Sequence, residues 1–484
     1  MLAGQSPNQI MSVEIFNTLT RKKEKLDEKL NGRKTVRMYS CGVTVYDRCH
    51  IGHARSLYVF DVIRRYLEYR GYEVKFVRNI TDIDDKIINR AKELKKDWKE
   101  VVDENIASYQ VDLQALGIAE AEKEPRATEN IDEMKKAITA LIEKGYAYVV
   151  DGDVYYAVRK FKDYGKLSHQ DIEQMEEAVR IDPSEKKKDP LDFALWKKSK
   201  EGEPSWPSPW GQGRPGWHME CSCMSLKHLN CETLDIHAGG QDLVFPHHEN
   251  EIAQSEAWTG KQFAKLWIHH GLLTINGQKM SKSSGNFITI QDAIQKYGVE
   301  ELKLFYLASQ YGSPIDFVEK KIFEARKQKD IFIDFLDKFK NWQIHKGRKK
   351  QSMSAKDKDR IKSYSEKFIQ AMDDNFNTPV ALASLFELVD FGATLISLDK
   401  EEGFREINQK VGAFLQIFGL NIKSNFEVTE DCQKLIDQRE EARRKKEFEK
   451  ADKLREEIVA NFQAVVVDTA GGVTFTSVRR EYER

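Results

Sequence analysis

The sequence predicts an α/β protein: a parallel-sheet domain interrupted by an insertion, then a helical bundle, then a small C-terminal domain. Three observations predict it. A strand-like run, an amphipathic helical run and a second strand-like run follow one another near the N-terminus, which is the sequence form of a βαβ unit and of a parallel sheet with helices on its faces. Residues 117–212 break that rhythm with mixed helical and strand-like segments. From about Ile322 onward the chain is nearly all helical pattern, rich in Lys and Glu, and two short β-branched runs close it. A chain of 484 residues exceeds what one hydrophobic core usually organises, so about three domains are expected.

Taken in order, Arg37-Met38-Tyr39-Ser40-Cys41 reads as a strand that Gly42 ends. Helical periodicity then runs from His53 to Tyr69 through Leu57, Phe60, Ile63 and Leu67. Val74-Lys75-Phe76-Val77-Arg78-Asn79-Ile80 is the second strand. Ligands of such Rossmann-like sheets sit beyond the carboxyl ends of the strands, where Cys41, the His50 region and Thr81-Asp82 fall. The sheet domain is assigned to residues 1–116 and 213–275, its second half carrying Leu234-Asp235-Ile236-His237 as a strand and a helix from His247 to Thr259. The connective insertion, 117–212, holds the strand-like Val154-Tyr155-Tyr156-Ala157-Val158, a charged run at Glu185–Asp189 and most of a Pro/Trp/Gly-rich stretch at Pro204–Gly216. Residues 276–321 form a loop and linking region, 322–425 the helical bundle and 426–484 the C-terminal region. In the last, Ala464-Val465-Val466-Val467-Asp468 and Val473-Thr474-Phe475-Thr476 read as a hairpin about Gly471-Gly472.

Composition excludes several classes. No stretch approaches the roughly 18 uninterrupted apolar residues of a membrane span. Met1 to Pro7 lacks the basic segment and apolar core of a secretory signal, so a cytoplasmic location and no membrane partner are expected. The formal net charge is −1, so any nucleic-acid binding must rest on local patches. His345-Lys346-Gly347-Arg348-Lys349-Lys350 and Arg443-Arg444-Lys445-Lys446 are such runs, although basic runs are more often solvated helix faces. In a long chain without a secretion signal, Cys41, Cys49, Cys221, Cys223, Cys231 and Cys432 read as reduced thiols or metal ligands.

Two motifs carry chemistry. His50-Ile51-Gly52-His53 places two imidazoles three apart at a helix start, where unpaired N–H groups already favour phosphate. Lys279-Met280-Ser281-Lys282-Ser283-Ser284-Gly285-Asn286 sets two lysines three apart between Gly277 and Gly285, which suits a mobile loop bringing positive charge to a transferring phosphate. Alone, the first is a helix start with two incidental histidines and the second a basic turn; together, in this order, they reinforce each other. A candidate metal site accompanies them. Cys41 ends a strand, Cys221 follows the Trp217 turn, and His247 and Glu251 are four apart on one helix face, which gives two thiolates, an imidazole and a carboxylate. Cys223 and Cys231 compete as ligands at this level; otherwise both are expected to be buried, with His248 one step off the ligand face.

These residues carry a resemblance. The chain resembles the class I aminoacyl-tRNA synthetases, whose signatures are HIGH and KMSKS, and more closely the cysteinyl-tRNA synthetases. Tyr39–Asp47, Asn79–Lys86, Gly216–Cys221 and Phe245–Glu251 carry it, and it extends over the chain from about Ser12. It implies ATP-dependent activation of L-cysteine to cysteinyl-AMP, with Mg2+ accompanying ATP, and transfer to tRNA(Cys) by a monomer. It implies one Zn2+ per chain on Cys41, Cys221, His247 and Glu251; since zinc with two thiolates and a carboxylate is already formally negative, Glu251 is the ligand expected to lengthen when substrate sulfur binds. Soft thiolate preference would then separate cysteine from serine, which an apolar pocket cannot do strongly. It further implies catalytic and ATP-binding roles for His50, His53, Lys279 and Lys282, ATP contacts from Gly240 and Asp242, and a substrate pocket from Gly42, Thr81, Trp217 and His237. The family has glycine where Ala238 stands. The helical region is implied to support tRNA and the tail to read the anticodon. A cysteine ligase of the mycothiol pathway shares the catalytic pattern, but a small acceptor needs no helical platform; intact motifs argue against a catalytically silent relative that only binds zinc or nucleotide. Lys86 matches one lysine linked to persulfide formation in some members, whereas Asn89 replaces a second, which leaves that activity open.

Overall fold

The computed structural model describes residues 12–171, 186–280, 285–344, 351–424, 429–462, 464–469 and 472–477. They form two compact units, one of residues up to Val299 with Gln310–Phe317 and Asp373–Phe376, the other of Glu300–Ser309, Val318–Met372 and the chain from Asn377.

The first unit opens with a hairpin, β1 (Glu14–Asn17) and β2 (Lys22–Lys25), and a short helix, α1 (Leu26–Leu30). The expected βαβ unit follows as β3 (Thr35–Thr44), α2 (Ile51–Tyr69) and β4 (Glu73–Thr81), with β3 and β4 parallel. Leu57, Phe60, Ile63 and Leu67 of α2 are all buried, as their spacing predicts. After α3 (Asp85–Leu94), α4 (Trp98–Ala115) and α5 (Ile131–Glu143), a separate antiparallel sheet runs β5 (Ala147–Val150), β6 (Asp153–Tyr156), β7 (Phe193–Lys198) and β8 (Gly213–Pro215). The parallel sheet resumes after α6 (Trp217–His228) with β9 (Leu234–Gly240), α7 (Glu249–Thr259) and β10 (Ala264–His270).

The parallel strands are ordered β4-β3-β9-β10. The chain passes from β3 to β4 on one side and returns to β9 on the other, so β3 and β9 flank the point where winding reverses, the usual site of a ligand crevice. All seven residues of β9 are buried, as befits a strand covered on both faces. Beyond β10, β11 (Leu273–Ile275) pairs antiparallel with β12 (Gln278–Lys279) and parallel with β13 (Ile315–Phe317), and α8 (Ile290–Tyr297) lies between the last two in sequence.

Three local expectations are corrected. β3 does not end at Gly42 but continues to Thr44, with its register to β4 shifting between Ser40 and Val43. A Cβ on Gly42 would lie 1.6 Å from the Asn79 carbonyl oxygen, so only glycine lets the strand pass. Residue His247 is not on the α-helix: Val244–His248 form a wider turn, and α7 begins at Glu249. Strand β6 stops at Tyr156, because Val158–Lys160 turn into a short 3₁₀ segment.

The second unit is helical: α9 (Val299–Leu307), α10 (Glu319–Ile344), α11 (Ala355–Asp373), α12 (Thr378–Ser397), α13 (Glu401–Ile417), α14 (Glu430–Arg444) and α15 (Phe448–Phe462), ending in the antiparallel hairpin β14 (Ala464–Thr469) and β15 (Gly472–Ser477). Asn377 caps α12 through Val380 N–H, and a proline stands in its first turn. By length and apolarity α12 could cross a bilayer, yet it buries Leu382, Leu385, Leu388 and Leu395 in this core against α10 and α13. Arg443–Lys446 end α14, where Lys445 pairs with Glu441. The basic run 345–350, Glu185 of the charged run and Gly471 lie outside the described residues.

Candidate active site and metal centre

His50 is the N-cap of α2 and His53 its third residue. His50 Nδ1 accepts from the N–H groups of Gly52 (3.0 Å) and His53 (3.4 Å), and His53 Nδ1 accepts from His50 N–H at 3.2 Å. The two imidazoles therefore cap the helix themselves, and the unpaired N–H groups expected there are already engaged. Burial pushes His50 down to about 4 and His53 to about 3, so both rings are neutral. With each Nδ1 accepting, the single ring proton of each sits on Nε2. The rings stack with centroids 3.8 Å apart.

The second motif meets the first. Asn276 and Gly277, both with positive φ, make the two-residue turn joining β11 to β12, an Asn-Gly hairpin signal. Lys279 is therefore paired with Thr274 in a strand, rather than loose in a loop, and its side chain is exposed. The Met280 methyl lies 3.9 Å from where a Cβ on Gly52 would stand. Ile51 N–H donates to Ile288 O, Ile290 N–H donates to Cys49 O, and Phe287 meets the His50 ring edge-on. Ser281, Lys282, Ser283 and Ser284 lie outside the described residues.

At the carboxyl end of β3 the metal candidates converge. Ligand atoms of Cys41, Cys221, His247 and Glu251 all lie within 4.8 Å of one another. The two sulfurs are 3.7 Å apart, close to the roughly 3.8 Å edge of a tetrahedron with about 2.3 Å metal–sulfur bonds. His247 Nε2 is 2.9 Å from Glu251 Oε1, and Cys41 Sγ is 3.6 Å from the same oxygen. Burial raises all the acidic groups here, but Cys41 and His247 hold the Cys221 thiol down at about 6, and the His237 and His247 rings hold Glu251 at about 2. Burial, Cys221 and Glu251 push Cys41 well up. The cluster thus presents an anionic sulfur and an anionic carboxylate, with a second thiol to deprotonate: the donor set and charge suit zinc.

Around it, Trp217 stacks on the His247 ring at 4.0 Å. His218 Nδ1 lies 2.8 Å from His247 Nδ1. His237 is fully buried, bonds Glu251 Oε2 at 2.9 Å and stacks on Trp267. His248, expected to miss the cluster, comes within 3.3 Å of Cys41 Sγ because the wide turn before α7 rotates it inward, and it continues through His269 to Thr18. Cys41, His237, His248 and Glu251 form an overlapping second set of possible ligands. Cys223 is buried as expected, whereas Cys231 is only partly so, in the turn between α6 and β9. At the end of β9, a Cβ on Gly239 would strike the His248 ring (2.5 Å) and one on Gly240 the Asp242 carboxylate (2.4 Å), which explains both glycines. Ala238 is fully buried within the strand. Thr81 is buried and donates to Glu220.

Comparison with known proteins is decisive. The family model described as the class I (C) tRNA synthetase catalytic domain matches residues 28–327, and a DALR domain model matches residues 367–418. A cysteine–tRNA ligase of Geobacillus sp. (strain WCH70) is 49% identical over 95% of this chain and 98% of its own, and one of Thermodesulfovibrio yellowstonii is 48% identical over 93% and 96%.

The chain belongs to the cysteine–tRNA ligase family.

In fold, the Mycobacterium tuberculosis methionyl-tRNA synthetase is similar, with a TM-score of 0.60 at 14% identity over 79% of this chain and 89% of that one. The α/β reading with a helical C-terminal region therefore stands, as does the assignment as a tRNA-charging ligase. This cysteine–tRNA ligase family member brings Cys41, Cys221, His247, Glu251, His237 and Trp217 together at one centre, and His50, His53 and the start of the lysine motif at another. Residues that motif reading passed over are Asn79, Glu220, His218, His269 and Arg55. Their signal was faint: polar side chains within otherwise apolar, buried runs.

Proposed function

We propose that this chain activates L-cysteine with ATP, forms cysteinyl-AMP at the carboxyl end of the parallel sheet, and transfers the cysteinyl group to tRNA(Cys). The observation that carries the reading is the two-thiol, imidazole and carboxylate cluster at the end of β3, in a chain that also carries His50 and His53 at a capped helix start. In this reading Cys41, Cys221, His247 and Glu251 hold one Zn2+, which when bound supplies a soft Lewis acid preferring thiolate to hydroxyl. Trp217, braced on His247, walls the pocket; Gly42 and Thr81 form its floor, and His237 fixes Glu251. Nε2–H groups of His50 and His53 donate to phosphate oxygens, and Lys279 and Lys282 add positive charge where negative charge develops. Gly240 lets adenosine approach the backbone, Asp242 accepts from ribose hydroxyls, and Mg2+ accompanies ATP.

The domain assignments follow: 1–116 with 213–275 performs activation, 117–212 connects its halves, 276–321 carries the lysine motif, 322–425 supports tRNA and 426–484 reads the anticodon, all within a cytoplasmic monomer. Cysteine-dependent ATP–pyrophosphate exchange, then charging of purified tRNA(Cys), tests this. Exchange with cysteine and not with serine is expected. Exchange that zinc removal leaves unchanged, or that any other amino acid supports equally, overturns it. Lys282→Ala should slow exchange while zinc stays bound.

A further inference from the structure

One histidine at the carboxyl end of the parallel sheet takes no part in the metal centre or in either motif. His270 closes β10 and stands beside Gly240, its partner in the register with β9. Its Nδ1 lies 3.0 Å from the Gly271 carbonyl oxygen, which can only accept, so Nδ1 carries the proton. Burial, with the Arg55 charge nearby, keeps the ring neutral, and Nε2 is therefore a bare lone pair. This is the reverse of His50 and His53, whose Nδ1 atoms accept and whose protons sit on Nε2. Among the described residues nothing donates to His270 Nε2.

That lone pair faces Gly240. A Cβ there would lie 3.5 Å from His270 Nε2 and 2.4 Å from Asp242 Oδ1, so imidazole and carboxylate meet over one patch of backbone that carries no side chain. Asp242 makes no hydrogen bond among the described residues, and its charge reaches both His50 and His270. Two side-chain acceptors converging on a bare strand end select a ligand with two adjacent donors. Phosphate oxygens only accept, and they share the sign of the Asp242 charge; the adenine amino group is a single donor centre. The ribose 2′- and 3′-hydroxyls are the neighbouring pair of donors on ATP.

We propose that His270 is a ribose-binding residue of the ATP site: its Nε2 accepts from one of the two vicinal hydroxyls while Asp242 accepts from the other. This rests on the reading of Gly240 and Asp242 as nucleotide contacts, and it adds the second acceptor together with the Gly271 bond that fixes its tautomer.

The test deletes the interaction from either side. Affinities of ATP, 2′-deoxy-ATP and 3′-deoxy-ATP are measured on the unsubstituted enzyme, on His270→Leu and on Asp242→Ala. Leucine removes the lone pair, and the Gly271 carbonyl that the ring releases keeps its bond from Arg55. In His270→Leu, ATP binding should weaken about three- to tenfold, the size of one neutral hydrogen bond, while the deoxy analogue lacking the hydroxyl held by Nε2 stays within about 1.5-fold of its affinity for the unsubstituted enzyme. The other analogue should weaken like ATP, and the KM for cysteine should not move. Equal weakening of all three nucleotides means that the ring only shapes the strand end and overturns the proposal, as does unaltered ATP affinity. Asp242→Ala reads the underlying assignment separately. If it leaves all three affinities unmoved, ribose does not sit over Gly240 and both readings fall; if it weakens ATP while His270→Leu does not, only the role of His270 falls. Should His270→Leu lose its cooperative urea transition, His270→Phe, which keeps a ring against Phe60, carries the same comparison with the same outcomes.

Discussion

At the scale of single residues, the cysteines separate cleanly by what surrounds them. Cys221 sits 3.7 Å from Cys41 and is held as a ready thiolate, whereas burial pushes Cys49 up to about 12 and Cys231 to about 11 with no thiol partner. Cys221→Ser should therefore lose most of its zinc and its cysteine-dependent exchange, and Cys231→Ser should keep both; metal analysis of the purified variants checks this, and a zinc-replete Cys221→Ser would remove Cys221 from the ligand set. The sequence made these candidate ligands legible because family spacing marks them, but not the orientation of their neighbours. His248 adjoins a candidate ligand in sequence and helical geometry alone turns it away from the cluster, yet the non-helical Phe245 backbone within the preceding turn brings it to Cys41. Asn79 and Glu220 stand in stretches that carry the resemblance, but their connection is not legible there: the hydrogen-bond chain joining β4 to α6 through Thr81 spans 141 positions between them, and no local pattern encodes such a pairing.

At the scale of elements, periodicity located α2 and its flanking strands, since burial of one helix face is written in the spacing of apolar residues. What it could not show is Arg55. This side chain is 1% exposed on a helix whose other buried positions are mostly apolar, and its guanidinium donates to the carbonyls of Gly271 (2.7 Å), Leu272 (2.9 Å), Tyr311 (3.1 Å) and Ser313. Arg55 lies two residues after His53, and its acceptors bracket the strand pair that carries Lys279. It thereby locks the histidine helix to the base of the lysine hairpin. A lysine cannot reproduce this planar fork. Arg55→Lys should cost about 1–3 kcal/mol in urea unfolding, through buried carbonyls left without donors, and should lower ATP–pyrophosphate exchange more than zinc content. A variant as stable and active as the unsubstituted enzyme would show the clamp to be dispensable.

At the scale of the whole molecule, acid sensitivity follows from histidines the fold keeps neutral. His270 is the clearest case. It ends β10 with 8% of its surface exposed, Nδ1 bonded to the Gly271 carbonyl and its ring edge-on to Phe60. Burial, helped by the nearby Arg55 charge, holds it down at about 4, against about 6.5 for an exposed imidazole. Below about pH 6.5 the unfolded chain takes up a proton at this residue that the folded chain refuses until about pH 4, so stability must fall as pH drops through that window. Asp112 acts in the opposite sense, because burial raises it to about 6. The bare pH profile is therefore a sum, and a difference is needed to read His270. Asparagine keeps an N–H donor but does not titrate. Whatever gap separates the parent enzyme from His270→Asn at pH 7 should shift in favour of the variant by up to about 2 kcal/mol at pH 5, because only the parent carries the extra proton uptake on unfolding. Urea titrations of both proteins at the two pH values measure it. A gap independent of pH would mean that the His270 ring titrates alike in folded and unfolded chains, and that its burial carries no electrostatic cost.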